Sequence, residues 1–267
     1  MRVLRRFLAA APLLAAAACL AGAARAQADW LAKPYAEWSK AEAERVLESP
    51  PWAVRQTVKI RYEAQARRVA GAGSTAAGVV VFGSEPELVR PGGAVGGGAE
   101  APVDFVFTLR MRSAPAVRKA VARLAQLEAE RLKGKERAAL EARAKGLAEC
   151  PACTDNYVLT LSSKSEQVPG ADAVYTIYKG ARLDDIKRYI FIANERGERR
   201  PLVHFVPPKA PGDEATFFFP RLDERGNPLL TPESRELIFN VTNNEVNAVT
   251  NFRVDVSTLV RGGVVEF

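Results

Sequence analysis

Histidine, cysteine and methionine are scarce in this sequence of 267 residues, which has one, three and two of them respectively. A hydrolytic triad would need His204, but no Gly-x-Ser-x-Gly motif accompanies it, and its strand-like surroundings favour a core or edge position. Zinc takes about four ligands, which one cysteine pair and a distant histidine do not supply. The sequence therefore predicts no catalytic constellation, no metal site and no cofactor.

Acidic residues are absent from the first 26 positions, which carry Arg2, Arg5, Arg6 and Arg25. The formal net charge is +7, so removing these four arginines leaves +3 for the rest of the chain. This small excess of positive charge is not typical of a nucleic-acid-binding protein. With 48% hydrophobic and 26% charged residues, we expect a globular protein with no nucleic-acid partner.

The first 26 residues have the pattern of a signal peptide. An apolar run from Phe7 to Leu20 follows the basic end and is short for a membrane span. Ala24-Arg25-Ala26 is a small-x-small cleavage site, which makes Gln27 the expected mature start. We expect Sec-dependent export to the periplasm or the extracellular space, because a retained anchor would need more apolar length.

Two other export routes fit the leader less well. Arg5-Arg6 would suit twin-arginine export, but Phe7 follows the pair directly. Cys19 would suit a lipoprotein, but Ala16-Ala17-Ala18 before it lacks the usual leucine and the apolar run continues past it. No later stretch approaches the roughly 18 apolar residues of a transmembrane helix, so the mature chain is predicted to have no integral membrane span.

Residues 27–56 are predicted to form an N-terminal arm with one short helix. Ser39 and Glu42 have the spacing of a capping box, and Pro50-Pro51 should stop the helix that follows. The arm region also holds three tryptophans, which would suit a sugar-stacking platform or, as we favour, apolar anchors onto the body. These tryptophans are Trp30, Trp38 and Trp52.

Residues 57–267 are predicted to form a single β-rich α+β domain with a glycine-rich loop at 91–102. Alternating or β-branched segments predict strands at 57–65, 79–82, 104–112, 157–161, 174–178, 189–193, 201–206, 216–219, 237–241, 252–256 and 264–267. Their Gly, Pro and Asn turns favour an antiparallel sandwich or curled sheet. One long helix is expected over about 114–149, with Gly134 as a point where it would kink or split. Positive and negative side chains alternate along its polar face, which suits either a surface for an acidic partner or a solvated face with internal ion pairs.

Cys150-Pro151-Ala152-Cys153 is the sharpest local feature of the chain. In an exported protein such a pair is usually a disulfide or a redox site. Redox enzymes place the pair at the start of a helix, whose positive end stabilises the thiolate. Here the pair follows a predicted helix and precedes a strand, so a local structural disulfide is favoured over a redox centre or free thiols.

Asp184 and Asp185 would offer an acid pair for glycoside hydrolysis. A chain with 31 acids contains many such neighbours, however. A short turn before Lys187 and Arg188 is the simpler interpretation.

Two segments resemble uncharacterised exported proteins of acidobacterial type. Trp38-Ser-Lys-Ala-Glu-Ala43 and Ser49-Pro-Pro-Trp-Ala53 are similar to their Trp-Ser-x-x-Glu-Ala helix and Ser-Pro-Trp-Ala segment, with one extra proline here. Leu109–Arg118 resembles their Arg-x-x-Ser-Ala-x-Pro-Val-Arg stretch. The resemblance implies export and brings no activity, cofactor or site residue.

The expected function is that of an exported, non-catalytic binding or structural module, whose partner is an envelope protein or polymer. Binding surfaces tend to lie on long loops such as those of this turn-rich chain. The alternatives are a thiol–disulfide redox protein that uses Cys150 and Cys153, and an envelope hydrolase with an acid pair.

Overall fold

The computed structural model describes residues 32–61, 81–82, 102–243 and 248–267. The predicted leader at 1–26, Trp30 and all of the glycine-rich loop except Pro102 lie outside these residues. So do positions 62–65 and 79–80 of the first two predicted strands.

Helices and strands are numbered separately along the chain. The helices are α1 (Lys40–Glu48), α2 (Pro115–Ala129), α3 (Gly134–Glu149), α4 (Ala152–Asp155), α5 (Ala173–Tyr178) and α6 (Leu183–Ile186). The strands are β1 (Ala53–Arg61), β2 (Val81–Phe82), β3 (Val103–Met111), β4 (Asn156–Lys164), β5 (Ile190–Asn194), β6 (Arg199–Pro201), β7 (His204–Val206), β8 (Ala215–Pro220), β9 (Glu236–Asn243), β10 (Ala248–Asp255), β11 (Val260–Arg261) and β12 (Val264–Val265). The predicted α+β class with antiparallel sheets is confirmed.

The larger sheet is antiparallel, with its six strands in the order β2–β1–β3–β4–β8–β7. Alternate residues of β3 are buried, as the sequence pattern predicts. The register places Leu109 opposite Leu161 of β4, and Leu159 of β4 opposite Phe217 of β8. One face of this sheet is therefore a continuous apolar surface.

The second sheet has four strands in the order β10–β9–β5–β6 and packs its apolar face against the first. Phe239 of β9 joins the two, because its ring centroid lies 5.3 Å from that of Phe217 and 6.1 Å from that of Phe219. A further contact of 6.1 Å links Phe239 to Phe252 of β10. The predicted sandwich-like arrangement is thus held by an aromatic core.

The N-terminal arm is fastened to the body by hydrogen bonds and buried tryptophans. The predicted capping box is present, since Ser39 Oγ accepts from the Glu42 amide (3.2 Å) and Glu42 Oε2 accepts from the Ser39 amide (2.8 Å). Trp38 and Trp52 are buried, as expected of anchors. Arg123 of α2 donates from Nε to the Trp38 carbonyl at 2.7 Å, which ties the arm to that helix.

Four predicted elements differ in the structure. The predicted strand at 201–206 is divided between β6 and β7, which belong to different sheets. The long helix at 114–149 is two helices, because Gly134 takes a left-handed φ of +58° that a glycine adopts at little cost. Residues 174–178 are helical rather than extended, since the Asp172 side chain accepts from the Tyr175 amide at 3.1 Å and caps α5. The last predicted strand, 264–267, is reduced to β12, which pairs with β11 instead of closing a larger sheet.

Candidate functional site

The cysteine pair forms a disulfide between Cys150 and Cys153. Cys150 ends α3 in a left-handed conformation with φ +42° and donates its amide to the Gly146 carbonyl at 2.9 Å. Cys153 is buried, whereas Cys150 is half-buried. The predicted placement of the pair, after a long helix and before a strand, is confirmed. The pair therefore faces the negative end of the α3 dipole.

The turn between β3 and α2 carries Arg112, and the first turn of α2 carries Arg118. Ser113 holds this turn against β4, because its amide donates to the Val158 carbonyl and its Oγ accepts from the Val158 amide, both at 3.1 Å. Ala114 precedes α2 and offers no side-chain cap to the first turn of that helix. The backbone on either side of Arg112 is therefore fixed by β-sheet pairing and by Ser113.

Two arginines bind the backbone around the disulfide directly. Arg118 donates from Nη1 to the Glu149 carbonyl at 2.8 Å, at the end of α3. Arg221, just after β8, donates from Nε to the Cys153 carbonyl at 3.0 Å and lies 4.6 Å from the centre of the Tyr157 ring. With Arg112 and the exposed Arg143 of α3, these residues form what we call the arginine corner.

The carboxylates around the arginine corner act on it without direct contact: Glu214 favours the charge of Arg112, and Asp155 favours that of Arg221. Among the described residues, no carboxylate forms an ion pair with any of its four members. Arg112 Nη1 and Arg118 Nε are buried and have no hydrogen-bond partner in that part of the chain. The nearby Glu214 is bound to Arg110 instead. An unpaired buried guanidinium is costly, so this arrangement calls for an explanation.

The pKa values of these arginines reflect burial and mutual repulsion. Burial lowers the pKa of Arg112, and the charges of Arg118 and Arg143 lower it further, against the opposite effect of Glu214. Burial also lowers the pKa of Arg221, where Arg118 again acts in the same direction. An arginine side chain nevertheless stays protonated in proteins. The corner therefore holds several positive charges that act on one another.

A second concave feature lies between the two sheets. It is an apolar cleft with an empty volume of about 340 Å³, open solvent included. Its lining consists of Val58, Phe107, Leu161, Ile177, Tyr178, Val241, Thr250 and Phe252. The Tyr178 hydroxyl makes no hydrogen bond with the described residues, and burial raises the pKa of this phenol. The described lining of the cleft suits an apolar group and contains no acid, base or nucleophile pair.

The other residues considered from the sequence lie apart from both features. His204 is exposed on the edge strand β7, where its ring stacks on Phe218 with centroids 4.8 Å apart. Asp184 lies on the surface in α6 and binds Lys187 at 2.7 Å. Asp185, also exposed, pairs with Arg182 at 3.5 Å. The short turn expected at the two aspartates is a single helical turn.

Sequence reasoning missed the arginine corner. Its members come from the β3–α2 turn, α2, α3 and the end of β8, and no motif spans these positions. Arg143 belongs to the sign-alternating face of the predicted long helix. Part of that face is indeed internally paired, as in the 2.7 Å contact between Arg137 and Glu141. Arg143 is exposed and forms no ion pair with a described residue.

Within the described residues, no group of three or more His, Cys, Asp or Glu side chains is placed to hold a metal ion. No described helix combines the length and apolar character needed to cross a bilayer. No protein family, curated protein or solved structure matches this chain. The functional argument is therefore based on the geometry of the chain itself.

Proposed function

We propose that this chain is an exported binding protein without catalytic activity, and that the arginine corner is its binding surface for an acidic envelope component. The observation that carries the proposal is that Arg112 Nη1 and Arg118 Nε are buried without a hydrogen-bond partner among the described residues, while the charge of the exposed Arg143 also acts on Arg112. Unpaired arginines provide planar donors that suit the oxygen atoms of carboxylate and phosphate groups. The signal-peptide pattern and the disulfide both support an oxidising compartment.

In this proposal the disulfide has a structural role. It joins the end of α3 to the short helix α4 that precedes β4, and the backbone on both sides of it accepts from arginines of the corner. The negative end of α3 beside Cys150 disfavours a thiolate there. The bond therefore keeps α3 and β8 in the relative position that the corner requires.

The test combines localisation with binding. N-terminal sequencing of the protein from fractionated cells should find Gln27 as the first residue, in the periplasm or the medium. An envelope extract passed over the immobilised protein should leave an acidic component that elutes with salt, because surface charge pairs are screened. The double variant Arg118→Gln/Arg143→Gln should lose this component.

The matched control is Arg131→Gln, which removes one charge from an exposed position in the α2–α3 turn. It should retain the component as the wild-type protein does. Equal retention by the double variant, or a cytosolic protein that still begins at Met1, contradicts the proposal.

A thiol–disulfide redox protein is the second candidate, and one observation favours it. Cys150 is half-buried and Cys153 is buried, and the nearby cationic side chains would stabilise a thiolate. Labelling of the reduced protein across pH distinguishes the two functions. A Cys150 pKa well below the usual value of about 8.5 supports redox exchange, whereas an unreactive pair supports the structural role.

A further inference from the structure

We infer that the Cys150–Cys153 disulfide is a redox-sensitive latch, which holds Arg118 and Arg221 in place when it is oxidised and releases them when a dithiol reduces it. The inference deepens the proposed function and rests on it for its consequence, because a loosened arginine corner should bind the acidic envelope component less tightly. Backbone hydrogen bonds and one strained residue around the two cysteines support such a latch.

Cys150 is held in a conformation that a cysteine disfavours. Its φ of +42° is left-handed, and in the described part of the chain only glycines share a positive φ with it. Glycine usually takes this position after a helix, because a Cβ atom makes the left-handed conformation costly. The Cys150 amide donates to the Gly146 carbonyl at 2.9 Å, but an ordinary helical residue makes the same bond. We therefore attribute the strained conformation to the disulfide, since such a residue persists only where its surroundings fix it.

The carbonyl groups that flank the disulfide are the ones that bind the two arginines. Arg118 Nη1 donates at 2.8 Å to the carbonyl of Glu149, which belongs to the peptide bond before Cys150. Arg221 Nε donates to the Cys153 carbonyl at 3.0 Å. Rotation of the backbone at Cys150 would turn the Glu149 carbonyl away from Arg118. Loss of the disulfide therefore removes the constraint that positions both guanidinium groups.

The change should stay local, because the chain beyond the latch is held by sheet pairing. Asn156 begins β4 and lies opposite Pro220 of β8. The Arg221 amide donates to the Asp155 carbonyl at 2.9 Å, and this bond does not involve either cysteine. We expect the end of α3 and the start of α4 to open while the sheet remains intact.

Reduction requires a dithiol, which would be a thiol–disulfide oxidoreductase in the envelope and is dithiothreitol in the test. One thiolate of the dithiol attacks the sulfur of Cys150, which is half-buried, and the sulfur of the buried Cys153 leaves and takes up a proton. The second thiolate then attacks the dithiol sulfur of this mixed disulfide, and the Cys150 sulfur leaves and is protonated. The protein disulfide has then gained two electrons and two protons, and the dithiol has become a disulfide.

The test compares the oxidised and reduced protein by amide hydrogen exchange, with thiol labelling to confirm the reduction. The amides of Cys150 and Cys153 donate to the carbonyls of Gly146 and Cys150 at 2.9 and 2.8 Å. We expect both amides to exchange about tenfold faster or more after reduction. The Glu130 amide is the control, because it donates to the Gln126 carbonyl at 3.0 Å at the end of α2 and should keep its exchange rate.

A matched pair of variants isolates the strain at Cys150. Cys150→Ser/Cys153→Ser and Cys150→Gly/Cys153→Ser both lack the disulfide, but only glycine adopts a φ of +42° at little cost. The amides at positions 150 and 153 should exchange in the serine variant as fast as in the reduced protein. In the glycine variant they should exchange roughly fivefold more slowly than in the serine variant.

Retention of the acidic envelope component connects the latch to the proposed function. The oxidised protein should retain the component, and the reduced protein and the serine variant should release it at a lower salt concentration. Four results would each overturn the inference: a pair that dithiothreitol leaves oxidised, equal exchange before and after reduction, equal exchange in the two variants, or equal retention by the oxidised and reduced protein.

The proposed function survives each of these results if the oxidised protein retains the component and Arg118→Gln/Arg143→Gln does not. If the oxidised protein retains no acidic component, the proposed function fails. Faster exchange at Cys150 and Cys153 after reduction would in that case still establish the latch. The two failures are therefore distinguishable.

Discussion

Truncation of Phe239 to alanine should strongly destabilise the packing of the two sheets against each other. Phe239 is fully buried and its ring contacts Phe217, Phe219 and Phe252 at 5.3, 6.1 and 6.1 Å. A buried Phe→Ala change costs about 3–5 kcal/mol. Loss of three ring contacts places this one at the upper end, since each contributes roughly 0.5–1.5 kcal/mol beyond burial. We therefore expect the free energy of unfolding to fall by about 4–5 kcal/mol.

The assay is urea unfolding followed by the fluorescence of the buried Trp38 and Trp52. With an m-value of about 2.5 kcal/mol per molar, the midpoint should move down by roughly 1.5–2 M. Phe218→Ala is the control, because Phe218 is half-buried on the opposite face of β8, and among the described residues its ring contact is with the exposed His204. That change should cost about 1–2 kcal/mol. Equal losses in the two variants would refute the assignment of the core.

Three further results are expected. The hydrogen bond from the Ser39 amide is the main cause that lowers the pKa of Glu42 from 4.5 to about 2. The carboxylate therefore stabilises the fold above about pH 4.5, and this stabilisation disappears as pH falls towards 2. An acid titration followed by circular dichroism should show this loss of stability in the wild-type protein and not in Glu42→Gln. Replacing Cys150 and Cys153 by serine should cost about 2 kcal/mol in urea unfolding, because the closed loop is very short, and a loss above about 4 kcal/mol would contradict this. Asp172→Ala should cost about 3 kcal/mol by the same assay, since its carboxylate accepts from a hydroxyl at 2.7 Å and from amides at 2.8 and 3.1 Å; a loss under about 1 kcal/mol would contradict it.

Elements that are set by interactions between residues a few positions apart were predictable from the sequence. The capping box at Ser39 is a contact three residues apart and forms as expected. The hairpin between β5 and β6 turns at Gly197, whose φ of +81° a glycine adopts at little cost. Alternation along β3 reports which face is buried, because successive strand residues point to opposite sides. The disulfide belongs to the same class, since its cysteines are three positions apart.

Elements whose conformation depends on packing against distant parts of the chain were not predictable from the sequence. Residues 174–178 have strong strand propensity but form α5, because Asp172 caps it and Val174 and Tyr178 pack into the core one helical turn apart. Propensity is a weak local preference that packing can override. Only the folded chain shows which preference prevails.

The arginine corner illustrates the same limit for function. The sequence alone determined which strands are amphipathic, where the first helix starts and which cysteines are near enough to join. The tertiary structure alone brought Arg118 and Arg143 near enough to act on the charge of Arg112, and placed Arg221 against the Cys153 carbonyl. The physical reason for this difference is that local hydrogen bonds and side-chain periodicity depend on neighbouring residues. The meeting of charges over 100 positions apart depends on strand register and on how two helices pack.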